Sequence, residues 1–338
     1  MPSQMNIVLG AMGFGQEGTE TARVFSIDDV GKIIDRFTAR GYKEIDTARI
    51  YGNGTSEEYL AAINWQARGL IMETKLFPTA NMPIPIPDHL KYNHHKGNVR
   101  RGLLDSLKAL GADKIDMFYL HAPDRTVEYE ETLQEVNELY QEGYFKRFGI
   151  SNYAAWEVAR ICDICDKNGW VKPSVYQGVY NCFGRSVEQE LIPCLRKYGL
   201  SIYIFNPLAG GLLTGKHSRE TTNSEIEAGS RFDEKKFLGK AARVRYWNDK
   251  FFDALDLVRP VAEKNGLTSA ECALRWLVHH SALKKDLGDA IILGASSINH
   301  LESNLDDVEK GPLPEDVVKA IDAGWGAIQG VASKYFHG

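Results

Sequence analysis

Apolar, β-branched runs of three to six residues alternate with amphipathic helical patterns along nearly the whole chain. Strands that alternate with helical segments predict a parallel sheet whose strands are joined by crossover helices. The predicted strands are 7–9, 44–46, 70–74, 115–120, 147–150, 174–177, 201–205 and 290–293.

A helical pattern follows each predicted strand. The predicted helices are 27–39, 56–66, 97–110, 127–142, 153–168, 187–198, a broken region that ends in 269–279, and 298–308. Eight strand–helix units favour a closed (β/α)8 TIM barrel over an open sheet. We expect one domain over 1–338, with an extra terminal helix at 314–328 and a tail to 338 that packs on the barrel.

Two connections are longer than loops usually are. Segment 78–96 carries the stiff stretch Pro83-Ile84-Pro85-Ile86-Pro87 after strand three, and 214–246 is long and charged after strand seven. Both leave the carboxyl ends of their strands, where loops that close over an active site originate. We expect lids, with a disordered insertion as the alternative for the second segment.

The composition, with 43% hydrophobic and 25% charged residues, is that of a globular protein rather than a disordered one. A net charge of −5 provides no basic field for a nucleic-acid backbone. No apolar run reaches membrane length, and residues 1–6 do not resemble a secretory signal, so we expect a cytoplasmic protein that binds neither membrane nor nucleic acid.

Five scattered cysteines are typical of a reducing compartment. Cys162 and Cys165 have the spacing of a redox motif, but they lie inside a helical pattern, which favours two ordinary helix residues. The neighbouring pair His94-His95 lacks further ligands at metal-binding spacing, so we expect no metal site.

Polar side chains stand at the carboxyl ends of seven of the eight predicted strands. These ends converge on one pocket in a barrel. A single polar strand end is ordinarily a rim residue or a helix cap, but seven together indicate a site. The first three ends provide Asp46 with Tyr51 just beyond it, Lys75, and His121.

Asp46, Tyr51, Lys75 and His121 resemble the catalytic tetrad of the aldo-keto reductases. Segments 120–124 (LHAPD), 148–153 (FGISNY), 175–177 (VYQ) and 205–216 (FNPLAGGLLTGK) look like the aflatoxin-aldehyde-reductase branch of that superfamily. The resemblance covers essentially the whole chain. It implies reduction of aromatic or dicarbonyl aldehydes, and of some ketones, to alcohols with NADPH.

Carbonyl reduction needs a hydride on carbon and a proton on oxygen. Tyrosine is a weak acid, with an unperturbed pKa of ~10. We expect the ammonium of Lys75 to lower the pKa of Tyr51, and Asp46 to hold Lys75 charged and oriented. His121 would orient the carbonyl oxygen and relay protons.

The resemblance places the dinucleotide on the second half of the chain. Ser151, Asn152 and Gln177 would bind the nicotinamide carboxamide, Phe205 would stack on the ring, and segment 210–216 would meet the pyrophosphate. The turn 294–297 opens a helix whose N–H groups suit a 2′-phosphate. The implied cofactor residues are Ser151, Asn152, Gln177, Phe205, Asn206, Leu208, Gly210, Leu212, Gly215, Lys216, Gly294, Ala295, Ser296, Ser297, His300 and Asn304. The resemblance implies NADPH, but the arginine that usually holds a 2′-phosphate is missing, which keeps NADH open as the alternative.

Aromatic and apolar residues with some positive charge should line the mouth of the pocket. The expected substrate residues are Met12, Phe14, Arg231, Tyr246, Trp247 and Phe336. The similar reductases have an arginine after the terminal Tyr-Phe pair, whereas this chain ends in Tyr335-Phe336-His337-Gly338. We therefore expect neutral aromatic aldehydes to be better substrates than carboxylated ones such as succinic semialdehyde.

Other interpretations remain open. Residues 13–18 match G-x-G-x-x-G without the helix and acidic strand end that a Rossmann site needs, and 210–216 match G-x-x-x-x-G-K but are followed by His217 instead of Ser or Thr. Lys75 could serve a Schiff-base lyase, although pairing with Asp46 would keep its amine charged. A regulatory subunit that binds NADPH and turns over slowly is a further alternative. The branch that the chain resembles often forms homodimers.

Overall fold

The computed structural model describes residues 2–80, 82 and 85–337. Eight parallel strands close into a barrel in the order of the sequence, and β8 pairs with β1, which confirms the predicted (β/α)8 fold. The strands are β1 (Asn6–Gly10), β2 (Glu44–Asp46), β3 (Ile71–Leu76), β4 (Ile115–Leu120), β5 (Phe145–Ser151), β6 (Val175–Val179), β7 (Ser201–Phe205) and β8 (Ala290–Gly294).

Helices surround the barrel and cover its outer face. They are α1 (Ile27–Ala39), α2 (Thr55–Ala62), α3 (Asn98–Leu110), α4 (Tyr129–Gln141), α5 (Ala155–Asn168), α6 (Leu191–Tyr198), α7 (Phe237–Tyr246), α8 (Asp249–Lys264), α9 (Ser269–His279), α10 (Ile298–Glu309) and α11 (Glu315–Ile328). Among residues 2–80, 82 and 85–337, no helix has both the length and the apolar character to cross a membrane.

Helix α1 shows how the sequence pattern produces this layer. The side chain of Ser26 accepts a hydrogen bond from the Asp29 amide and so caps the first turn, whose free N–H groups would otherwise lack partners. Val30, Ile34 and Phe37 recur at helical spacing and are buried. The face that carries them packs against the barrel, and the polar face remains in water.

Most element boundaries differ from the predicted ones by a few residues, and three of the differences have a clear local explanation. Strand β3 runs on through Lys75 and Leu76, because both continue the buried ladder with β4. Helix α2 ends at Ala62, since a turn with Asn64 in the left-handed region follows it. The segment 214–246, expected to be a loop, contains helix α7. In the other long connection, Pro83 and Ile84 lie outside the described residues, as does Gly338 in the tail.

The helix-packing prediction for the two cysteines of α5 is confirmed. Cys162 and Cys165 are free and buried, and neither forms a disulfide. Burial raises the pKa of both thiols to about 12, so neither is a reactive thiolate at neutral pH.

Candidate active site

Asp46 and Lys75 form a buried ion pair at the carboxyl ends of β2 and β3. The Lys75 ammonium donates to Asp46 Oδ1 at 2.5 Å and to the Thr47 carbonyl oxygen at 2.8 Å. The Gln177 side-chain amide donates to the same carboxylate oxygen at 2.7 Å. Because Lys75 is fully buried, its charge requires these partners, and they hold the ammonium in one position.

Tyr51 reaches this pair from the turn that follows β2. Gly52 and Asn53 have positive φ, which turns the chain sharply after the tyrosine. Below the turn, the buried Arg49 donates to Glu57 at 2.8 Å and ties the segment to helix α2. The Lys75 ammonium lies 5.1 Å from the centre of the Tyr51 ring, so the turn delivers the phenol to the ion pair.

The pKa of Tyr51 is shifted in the direction opposite to our expectation. Burial of the ring is the largest influence and raises its pKa above the usual value, although the charge of Lys75 acts in the opposite, lowering direction. The expected net lowering is therefore wrong for the protein without bound ligands. A fully desolvated phenol favours its neutral form, and Tyr51 holds its proton at neutral pH.

His121 completes the quartet from the end of β4. Its ring meets the Tyr51 ring edge-on, with 5.7 Å between the ring centres. Burial, followed by the charge of Lys75, lowers the pKa of His121 well below its usual value, so the imidazole is neutral. Its Nδ1 atom is buried without a hydrogen-bond partner, and a neutral ring carries one N–H donor and one acceptor.

The residues expected at the nicotinamide lie beside this quartet. Asn152, with a φ of 65°, donates through its side chain to the His121 carbonyl oxygen and to Ser151 Oγ, both at 2.9 Å. Gln177 is bound to Asp46, as described above, and Phe205 lies half-buried at the end of β7. Three of these four side chains are thus fixed by contacts within the protein.

The expected phosphate-binding residues form two short segments at the ends of β7 and β8. Gly210 and Gly211 both have positive φ in the first segment, which also holds Asn206, Leu208, Leu212, Gly215 and Lys216. In the second segment, which follows Gly294 and Ala295, Ser297 caps α10 by accepting from the His300 amide at 3.2 Å. Ser296 Oγ lies 2.8 Å from His300 Nδ1, and the Asn304 side chain donates to the Gly294 carbonyl oxygen at 3.4 Å.

Lys216 connects the two segments electrostatically. Burial and then the positive charge of Lys216 lower the pKa of His300, which places the lysine within electrostatic range of the α10 start. An exposed cation, glycine-rich backbone and a helix N-terminus are a suitable environment for phosphate groups.

The expected substrate residues are not all at the mouth of the pocket. Arg231 is half-buried, donates to the Met12 sulfur at 2.9 Å, and its charge acts on Tyr51. Phe14 has no exposed surface and pairs with Val24 through the backbone, so its ring belongs to the core.

The other aromatic candidates belong to two separate groups. Tyr246 is buried, and its ring approaches Gly210 on the side of the expected cofactor residues. Trp247 packs against Phe232, with 5.2 Å between ring centres. Phe336 contacts Tyr335 edge-on in the tail. Phe14 and Tyr246 are thus buried, whereas the aromatic pattern of the sequence predicted them at the mouth of the pocket.

The tail and β3 contribute contacts that the sequence pattern did not single out. Phe77 lies edge-on to His121 at 5.2 Å and next to His337 at 6.2 Å. The His337 amide donates to the Asn152 carbonyl oxygen at 2.9 Å, and Arg125 donates to the His337 carbonyl oxygen at 2.6 Å. Phe77 stands two residues after Lys75, directly after the end of β3, and this spacing was a usable signal. The docking of His337 had none.

Comparison with known proteins agrees with this geometry. The model of the aldo/keto reductase family matches residues 6–325. The chain is 49% identical over 334 residues to aldo-keto reductase pigE of Monascus ruber, covering 98% of this chain and 97% of the relative. It is 41% identical over 339 residues to human aldo-keto reductase family 7 member A3, covering 97% and 96%. With aflatoxin B1 aldehyde reductase member 2 of Mus musculus it shares 40% identity over 339 residues, covering 99% and 88%.

Proposed function

The chain belongs to the aldo/keto reductase family, and we propose that it reduces aldehydes to alcohols with NADPH, with Tyr51 as the proton donor. The proposed substrates are aromatic and dicarbonyl aldehydes, with ketones as a further class. One observation carries this proposal: the Lys75 ammonium, paired with Asp46 at 2.5 Å, lies 5.1 Å from the Tyr51 ring, and His121 adjoins the same ring.

The protonation states suit reduction. Tyr51 retains its proton at neutral pH, because burial raises its pKa, and can therefore donate that proton to a carbonyl oxygen. The adjacent ammonium of Lys75 then stabilises the phenolate that remains. Neutral His121 can direct its N–H group at the same carbonyl oxygen and orient it.

The β5–β8 side of the rim fits a dinucleotide phosphate. Bound NADPH would supply the hydride. Ser151, Asn152 and Gln177 would hold the carboxamide end beside Tyr51, and Phe205 would face the ring. Lys216, together with Ser297 and His300 at the start of α10, would hold the phosphates. The exposed side chains of His300 and Lys216 support the choice of NADPH over NADH, because together they offer donors and charge to a 2′-phosphate.

The tail bears on the choice of aldehyde. Burial of the ring and the charge of Arg245 lower the pKa of His337 to about 4, so it is neutral at pH 7. Arg231 is then the cation among the expected substrate residues, and its guanidinium already contacts the Met12 sulfur. We infer that neutral aromatic aldehydes are preferred. A kinetic panel in which succinic semialdehyde far exceeds benzaldehydes in kcat/KM would contradict this preference.

Lyase chemistry at Lys75 finds no support in the ion pair. Burial is the largest single influence and disfavours the ammonium, but the charge of Asp46, the hydrogen bond to it and the nearby Tyr51 together outweigh burial, and the pKa of Lys75 is raised above its usual value. A protonated amine is not a nucleophile, so a Schiff base would not form there.

Tyr51→Phe tests the central role. The substitution removes the hydroxyl and retains the ring, so we expect NADPH affinity, measured by fluorescence quenching, to change by less than ~2-fold while aldehyde turnover falls by ~10²-fold or more. Tyr59→Phe is the matched control, because the Tyr59 hydroxyl bonds to the Phe25 carbonyl oxygen at the surface, away from the quartet.

Three outcomes would change the proposal. An equal loss of NADPH binding would make Tyr51 structural. Wild-type protein that binds NADPH but reduces no aldehyde in the panel would favour a regulatory subunit. Protein that does not bind NADPH at all would contradict the roles proposed for the β5–β8 side.

A further inference from the structure

A charged cluster fills the barrel interior directly beneath the catalytic quartet. Barrel interiors are usually packed with branched aliphatic side chains. Here five strands contribute ionisable groups, which we call the lower cluster: Glu44, Glu73, Tyr119, Arg147 and Tyr203. The mechanism proposed above does not use any of them.

Direct contacts join the members of the lower cluster. Arg147 donates to Glu44 at 2.6 Å and to the Tyr203 hydroxyl oxygen at 3.2 Å, and the Tyr203 hydroxyl donates to Glu44 at 3.2 Å. The Tyr119 hydroxyl donates to Glu73 Oε2 at 3.1 Å. Glu44 and Arg147 are partly exposed, whereas the Glu73 side chain is fully buried.

The cluster touches the quartet through β3 and β4. Glu73 precedes Lys75 by two residues, so both side chains point into the barrel, and Glu73 is the strand partner of Asp46. The Tyr119 ring lies 5.9 Å from the Lys75 ammonium. Its neighbour Gly149 leaves the space for this ring, since a Cβ atom there would collide with it. Tyr119 is thus held between Lys75 and Glu73.

The charges in the interior balance only if Glu73 is neutral. Glu44 and Asp46 carry two negative charges, and Lys75 and Arg147 carry two positive ones. An ionised Glu73 would add an uncompensated charge in a fully buried position, which is costly.

The unpaired oxygen of Glu73 leads to the same conclusion. Glu73 Oε1 is buried without a hydrogen-bond partner, and the nearest guanidinium nitrogen of Arg147 is 3.8 Å away. A proton on this carboxyl group could be donated to the neighbouring carboxyl group of Glu44, which would satisfy the oxygen. Burial, followed by the proximity of the Glu44 carboxyl group, raises the pKa of Glu73 well above its usual value.

We propose that Glu44 and Glu73 share one proton, that this proton resides on Glu73, and that Glu73 thereby acts as a positioning residue which keeps negative charge away from Lys75 and Tyr51. This inference rests on the proposed function, in which Tyr51 is the acid. A carboxylate at position 73 would disfavour the Tyr51 phenolate and make Tyr51 a weaker proton donor. The proton on Glu73 therefore supports catalysis without touching the substrate.

All charged and titratable groups that face Glu73 enter this balance. They are Glu44 and Asp46 on β2, Lys75 on β3, Tyr119 on β4, Arg147 on β5 and Tyr203 on β7. At the level of Glu73 the remaining strands present apolar side chains to the interior, namely Val8, Val175, Ala290 and Ile292, and nearer the rim β6 also presents Gln177.

Three glutamine variants move the charge in known ways. Glu73→Gln replaces a neutral acid with a neutral amide, so kcat should stay within ~2-fold of wild type and the alkaline limb of the kcat/KM profile should not move.

Glu44→Gln leaves Arg147 beside Glu73, which then becomes the carboxylate. We expect the alkaline limb to shift upward by about one pH unit and kcat to fall ~10-fold. The double variant lacks both carboxyl groups, so the limb should shift downward. An alkaline limb that moves in Glu73→Gln, or stays in place in Glu44→Gln, would overturn the proposal.

Infrared spectroscopy tests the proton without using activity. Wild-type protein at neutral pH in D2O should show the C=O stretch of a protonated carboxylic acid, and this band should be missing in both Glu73→Gln and Glu44→Gln. If Glu73→Gln removes no such band, the shared proton does not exist, whatever Tyr51 does. If the band is present but Tyr51→Phe keeps full turnover, the proposed function fails while the protonated Glu73 remains.

Discussion

The two halves of the barrel rim are prepared for chemistry to different degrees. On the β2–β4 side, Asp46, Lys75, Tyr51 and His121 already touch one another, and the ion pair is closed at 2.5 Å. On the β5–β8 side, the phosphate-binding candidates are spread over two segments, in which Gly210 and Gly215 have positive φ and the side chains of Lys216, Ser296 and His300 are exposed. The first half makes its contacts within the protein, whereas the exposed charge of the second suits the phosphate groups of the cofactor that we propose.

Desolvation explains this difference. Lys75 and Asp46 are buried, and an unpaired buried charge would be strongly destabilising, so the pair must form when the protein folds. Lys216 lies in water and needs no partner within the chain. The charges of Lys75 and Asp46 are therefore paired during folding, whereas in the proposed function the charge of Lys216 is paired when the cofactor binds.

The largest expected effect comes from breaking the buried ion pair on the β2–β4 side. Lys75→Met leaves Asp46 buried without its cation, so the free energy of unfolding should fall by about 3–5 kcal/mol and turnover by ~10³-fold. Thermal or urea unfolding and aldehyde kinetics measure the two effects. The control is the double variant Asp46→Asn with Lys75→Met, which should regain most of the stability and none of the activity. A single variant as stable as wild type would contradict the buried pair.

A smaller effect concerns the loss of stability in acid. His94, buried behind the β3 end, has a pKa lowered to about 4 by desolvation, while unfolded histidine titrates near ~6.5. Between these values the unfolded chain binds a proton that the folded chain does not. Stability should therefore fall as pH drops from about 6.5 to about 4, by ~1.4 kcal/mol per unit.

His94→Gln removes this titration and provides the comparison. The slope of unfolding free energy against pH should be shallower in the variant by that amount over the same window. Equal slopes in wild type and variant would show that His94 titrates normally in the folded protein.

The smallest effect concerns the half that awaits a ligand. Lys216→Gln should raise the Kd for NADPH by ~10-fold, equal to about 1.4 kcal/mol, with no loss of stability, because the side chain is exposed. The difference from wild type should shrink at high salt. Lys319→Gln on α11 is the control, since its ammonium only pairs with Glu315 at the surface. An unchanged Kd in Lys216→Gln would remove the lysine from the phosphate site.

The sequence was most informative where one residue type had one physical explanation. Alternation of apolar strands and amphipathic helices predicted the barrel, and polar strand ends predicted the quartet, because both follow from local periodicity and from the shared edge of a parallel sheet. The prediction for Phe14 was wrong, since its total burial depends on the Val24 segment packing over it. Helix α7 lay inside a charged segment in which no clear apolar face identified it.

The sequence itself thus determined where the proposed catalytic side chains lie along the chain: Asp46, Lys75 and His121 are at or next to the carboxyl ends of β2, β3 and β4. Their chemical states were decided by the tertiary structure. Lys75 alone suggested a lowered pKa for Tyr51, but burial outweighs its charge and raises that pKa. From the sequence, Glu73 looked like an ordinary strand residue. In the folded protein it is fully buried beside Tyr119 and Glu44, and the nearest guanidinium nitrogen, that of Arg147, is 3.8 Å away. Protonation depends on distance and desolvation, and both exist only in the folded chain.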